Sequence, residues 1–84
     1  MKFMVLFKLP NYADIKALVE RFFRFSSVEK VFFGDFVAFA IIHAANTESA
    51  VTEATFIGHY VGAQPLKVWA IRLEADDEGN LMEV

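Results

Sequence analysis

Eighty-four residues, 56% of them hydrophobic and 23% charged, carry a net charge of −3. The chain is long enough for one globular domain, too short for a second hydrophobic core and too apolar to stay disordered. The absence of cysteine excludes disulfides, thiolate catalysis and cysteine-held zinc or iron–sulfur centres, and fits a reducing, intracellular setting without naming the compartment.

The first predicted element is a strand from Phe3 to Leu9, flanked by Lys2 and stopped by Pro10. Alternation sets Val5, Phe7 and Leu9 on one side and Met4, Leu6 and Lys8 on the other. Asn11, with Asp14 three residues on, reads as the cap of a helix running from about Tyr12 to Phe25. Ile15, Leu18, Val19 and Phe22 form its apolar stripe, and Ser26-Ser27 ends it. Val28 to Phe33 and Phe36 to Ala44 are the next two strands. Only Gly34-Asp35 separates them, a tight hairpin with glycine available for positive φ. Asn46-Thr47 starts a second helix with Ala50, Ala54 and Ile57 buried, and Gly58 is the expected left-handed residue at its end. Pro65 precedes the last strand, Leu66 to Leu73.

The order β-α-β-β-α-β, with right-handed crossovers, predicts an α+β domain of the ferredoxin-like kind. Its four-stranded antiparallel sheet carries both helices on one face. The other face is expected to hold Leu6, Phe32, Phe36, Ala38, Ala40, Ile42, Trp69 and Ile71. Phe7, Phe22, Phe33 and Phe39 are expected in the core. A solvated antiparallel face normally carries polar residues, and this one does not. Ten phenylalanines in so small a chain point the same way, to an apolar surface that meets a partner.

Charge is divided along the chain. Residues 1–73 hold all eight bases against six acids, whereas residues 74–84 hold Glu74, Asp76, Asp77, Glu78 and Glu83 and no base. The expected organisation is therefore a domain over residues 1–73 and an acidic tail over 74–84; such a run is most often solvated, and the sharper reading is that it folds back over the lysines and competes with RNA. Two histidines, His43 and His59, cannot build a zinc site without carboxylates from elsewhere. No Ser/His/Asp set, phosphate loop or pair of inward-facing carboxylates is evident. The expectation is a non-catalytic protein without cofactor or metal. The apolar stretch from Phe36 to Ile42 is far short of a bilayer span, and the segment between Lys2 and Lys8 is too short for a secretory leader. A soluble chain without a membrane partner is expected.

The stretch Gly58-His-Tyr-Val-Gly-Ala-Gln-Pro-Leu-Lys-Val68 resembles the link between helix 2 and strand 4 of RNA recognition motifs, with Val61, Gly62, Leu66 and Val68 matching. Asn46-Thr-Glu-Ser-Ala50 resembles that family's helix-2 start. Phe36-Val-Ala-Phe39 resembles the second half of its RNP1 strand, and Val5-Leu-Phe-Lys-Leu-Pro10 a shortened RNP2. The likeness spans residues 3–73. It implies a reader of single-stranded RNA whose sheet stacks bases on aromatic rings. Phe36 falls at one exposed RNP1 ring position, Gly34 at the other, and Leu6 at the exposed RNP2 position.

The expected RNA-binding set is Leu6, Lys8, Lys30, Phe32, Phe36, Ala38, Lys67 and Trp69. The flat rings stack bases while the lysines neutralise phosphate. The resemblance implies a part in an RNA-processing assembly. The alternative is a protein-interaction or homodimerisation domain that uses the same apolar face.

Overall fold

A computed structural model describes residues 1–10, 14–71, 73–75 and 81–83. In chain order the elements are β1 (Lys2–Lys8), α1 (Ile15–Phe22), β2 (Val28–Gly34), β3 (Val37–His43), α2 (Thr47–Val61), β4 (Gln64–Ile71), β5 (Leu73–Ala75) and β6 (Leu81–Glu83). The first four strands form one sheet in the order β2-β3-β1-β4, every neighbouring pair antiparallel. This is the expected ferredoxin-like α+β architecture. Among the described residues, β5 and β6 pair with each other in a separate two-stranded sheet. They form a short hairpin where the sequence predicts no element.

Helix limits follow their caps. The Asp14 carboxylate accepts from the backbone N–H of Lys16 and of Ala17, at 3.1 and 3.3 Å, so Asp14 itself caps α1 rather than lying in its first turn. The expected cap Asn11 lies outside the described residues. α1 buries Leu18 and Phe22, while Ile15 and Val19 remain exposed. Asn46 caps α2 as expected, its Oδ1 accepting from Ser49 N–H at 2.8 Å. The helix runs past Gly58 and stops at Gly62, which takes the left-handed conformation (φ 77°) and donates its N–H to the Gly58 carbonyl.

Gly58 serves packing instead. A Cβ there would lie 2.6 Å from the Ala63 carbonyl oxygen and 2.8 Å from Pro65 Cδ. Its absence lets the chain turn tightly from α2 into β4.

The core sits between the helices and one face of the sheet. Phe3, Val5 and Phe7 of β1, Ala38, Ala40 and Ile42 of β3, Val28 of β2, Leu18 and Phe22 of α1, and Ala50, Ala54, Ile57 and Val61 of α2 form a single buried cluster. Phe22 is its hub, edge-on to Phe7 at 5.4 Å and to Phe33 at 6.2 Å between ring centroids. Among the described residues no polar or charged residue is buried.

The phase of β3 is the reverse of the one expected. Ala38, Ala40 and Ile42 face the core, each fully buried, and Phe39 lies on the opposite face among half-buried residues. Neighbouring volumes give the reason. Ala38 stands in register between Phe7 and Phe33, and Ala40 between Val5 and Val31. Phe22 must reach both Phe7 and Phe33 across Ala38, and a ring at position 38 would fill that space.

Candidate interaction face of the sheet

The face away from the helices can be drawn row by row from the strand register. Across β2, β3, β1 and β4 one row reads Phe32, Phe39, Leu6, Lys67, and the next reads Lys30, Ile41, Met4, Trp69. At one end lie His43, Lys2 and Ile71; at the other lie Gly34, Val37, Lys8 and Gln64. The two middle strands thus present Met4, Leu6, Val37, Phe39 and Ile41, all half-buried, with nothing polar among them. Phe32 on the β2 edge is 51% exposed. Lysines stand on every side of this centre: Lys2 and Lys8 at the two ends of β1, Lys30 on β2 and Lys67 on β4.

Local chemistry holds several of these groups. Lys67 Nζ lies 5.3 Å from the centre of the Trp69 ring, a cation–π contact that keeps the ammonium beside the indole. At the far end a register shift between Val28 and Lys30 brings the Glu29 carboxylate to Lys2 and His43. Glu29 Oε1 lies 3.0 Å from Lys2 Nζ and 3.2 Å from His43 Nε2. The Lys2 hydrogen bond, aided by the one to His43, holds the Glu29 carboxyl below its ordinary pKa against the opposing effect of desolvation. Among the described residues Glu29 is the single acid of the face. Four lysines stand against it.

Six of the eight predicted residues come together here: Leu6, Lys8, Lys30, Phe32, Lys67 and Trp69. Two do not. Ala38 is 0% exposed on the core side, so it meets no external partner. Phe36 occupies the two-residue turn between Gly34 and Val37, at φ 60°, with its ring 62% exposed at the border of the face. The left-handed residue of this turn is therefore Phe36, not Gly34. The Phe36 carbonyl accepts from Leu9 N–H at 2.8 Å, which ties the turn to the end of β1. Met4, Val37, Phe39 and Ile41 are the residues missing from the prediction. The signal for three of them is His43, the polar residue of β3, which shares its alternation with Val37, Phe39 and Ile41.

No group of three or more His, Cys, Asp or Glu among the described residues is placed to hold a metal ion. No helix among them is long and apolar enough to cross a membrane. No protein-family model, curated protein or solved structure matches the chain.

Proposed function

We propose that the chain is a non-catalytic interaction module that pairs with a second copy of itself through the open sheet face. One observation carries this reading: the outward rows of both middle strands are apolar from Met4 to Ile41, at the positions where a solvated antiparallel sheet carries polar side chains. Aliphatic side chains such as Met4, Leu6, Val37 and Ile41 offer no flat ring to a base, but they interdigitate well with another sheet. A two-fold pair also covers the same patch on both copies at once. Full burial of one exposed side chain of this kind is worth roughly 1.5–3 kcal/mol; the five central residues, already half-buried, gain part of that each, set against the freedom lost on association.

Sedimentation equilibrium over a wide concentration range tests this. The expected mass rises toward twice the 9.5 kDa of one chain. Leu6→Glu or Ile41→Lys should weaken association by about 100-fold, roughly 2.7 kcal/mol, with the far-ultraviolet dichroism unchanged. A wild-type chain that stays monomeric throughout overturns the reading.

Single-stranded RNA is the second reading. It is favoured by the Phe32–Phe39 cross-strand pair, by Trp69 and by the surrounding lysines. A monomeric chain whose Phe32, Phe39 and Trp69 resonances shift on titration with oligonucleotides at low salt is the result that favours it. That outcome would extend the resemblance to RNA recognition motifs, with Phe39 rather than Phe36 as the ring on β3.

A further inference from the structure

The two edge strands of the main sheet differ. β4 is interrupted by Pro65 and by a register shift against β1 between Leu6 and Phe7, the devices that keep an edge from pairing. β2 has a shift between Val28 and Lys30, where Glu29 turns inward to Lys2 and His43. Beyond it, Lys30-Val-Phe-Phe-Gly34 runs in unbroken register against β3 without a proline. Among the described residues no strand pairs with the outer side of β2.

Hydrogen-bond phase tells which groups of β2 face outward. β3 bonds to β1 through its even-numbered residues: Leu9 N–H donates to the Phe36 carbonyl at one end, and Ala44 N–H donates to the Met1 carbonyl at the other. Its odd-numbered residues bond to β2, as His43 N–H does to the Ser27 carbonyl at 2.8 Å. The β2 partners of Val37, Phe39 and Ile41 are Gly34, Phe32 and Lys30. Val31 and Phe33, between them, therefore aim their N–H and C=O groups off the edge. Among the described residues no backbone group meets these donors and acceptors.

We infer that β2 pairs with β2 of a second copy, antiparallel about a two-fold axis at Phe32, and joins two four-stranded sheets into one. The contact lies at the edge of the sheet and stands or falls separately from the pairing of faces. Val31 falls opposite Phe33 of the second copy, so the outward donors and acceptors meet on both sides of the axis. Phe32, half exposed, falls opposite its own copy at a non-hydrogen-bonded position, where Cα atoms approach to ~4.5 Å and the rings touch. Lys30 falls opposite Gly34, which leaves its side chain room beside the second copy's Asp35. Other registers serve worse. An axis on Lys30 sets ammonium against ammonium. With the axis on Val31, Phe33 lies opposite the irregular Glu29; with the axis on Phe33, Val31 lies opposite the turn residue Asp35. So short a ladder holds weakly against the freedom lost on association, and a covalent trap reads it best.

The cysteine-free chain permits that trap. In a Leu6→Glu background, which weakens the pairing of faces, Phe32→Cys should form a disulfide-linked dimer under mild oxidant at least tenfold faster than Lys30→Cys. Two residues at position 32 stand at disulfide distance, whereas two at position 30 lie about 14 Å apart in this register. Lys30→Cys chains mixed with Gly34→Cys chains should cross-link faster than either does alone. Adding Lys30→Asp to the Phe32→Cys chain should slow its linkage at least threefold at low ionic strength, and adding Asp35→Lys as well should restore it. If Phe32→Cys links no faster than Lys30→Cys, the edge inference falls and the pairing of faces is untouched. If the wild-type chain stays monomeric in sedimentation while Phe32→Cys links at the expected rate, the faces do not pair and the edge stands.

Discussion

Gly58 shows how a single hydrogen in place of a methyl governs the connection from α2 to β4. Within a helix, alanine is favoured over glycine by about 1 kcal/mol. Here the added Cβ would meet the Ala63 carbonyl oxygen at 2.6 Å, a backbone atom that cannot swing aside. Overpacking of this kind costs about 1–3 kcal/mol and outweighs the helix preference. Gly58→Ala should therefore lower stability by about 1–2 kcal/mol in urea denaturation, and a stabilised variant would contradict the geometry. Phe36 is the opposite case. It holds a left-handed conformation that costs a side-chain-bearing residue roughly 1–2 kcal/mol, and only its carbonyl is engaged, by Leu9 N–H. A glycine at position 58 was legible from the sequence as a special residue, but not its purpose. Both glycines fall near the end of the helix, and only the packing distance tells the one that allows close approach from Gly62, the one that turns left-handed.

At the scale of elements, order and type were legible while the phase of β3 was not. Pro10, Ser26-Ser27, Gly34-Asp35, Asn46 and Pro65 punctuate the chain so regularly that the six main elements follow from them, although Gly62 and not Gly58 ends the second helix. β3 is apolar on both faces, so alternation of hydrophobicity carries almost no information about which side is buried. Residue volume carries it instead: alanines pair with the large rings of β1 and β2 inside, and Phe39 goes out. The face itself was legible to the same extent: lysines mark the outer side of β1, β2 and β4, whereas Ala38 faces the core and Phe36 sits in the turn. The corrected phase makes a sharp contrast. Ala38→Lys places an ammonium among Phe7, Phe22 and Phe33 and should cost at least 3 kcal/mol, enough to unfold much of the population. Phe39→Lys should keep the fold, with a loss of no more than about 1–2 kcal/mol. Equal effects of the two substitutions in thermal denaturation would refute the assignment.

For the molecule as a whole, the ten phenylalanines divide by layer. Phe3, Phe7 and Phe22 are fully buried, Phe25 and Phe33 pack against the core, Phe39 is half-buried on the open face, and Phe23, Phe32, Phe36 and Phe56 are half or more exposed. So small a domain has too little interior for all of them, and the remainder cover both layers of the sandwich. When folding and association are linked, stability depends on concentration. The Tm of the wild-type chain should climb several degrees over a hundredfold rise in concentration, and that of Leu6→Glu should stay flat. Identical flat curves would decouple the sheet face from folding.

The position of β1 has a consequence for synthesis. It lies in the middle of the sheet, hydrogen-bonded to β3 on one side and β4 on the other, and it is made before either. During translation the run Phe3-Met-Val-Leu-Phe7 leaves the ribosome with both edges bare and waits for some sixty further residues before Gln64–Ile71 can close the second. Such a segment, rich in β-formers and free of charge, is the kind that pairs with other nascent chains. Lys2 and Lys8 at its two ends then act first as guards against that encounter, well before any folded face exists for them to border.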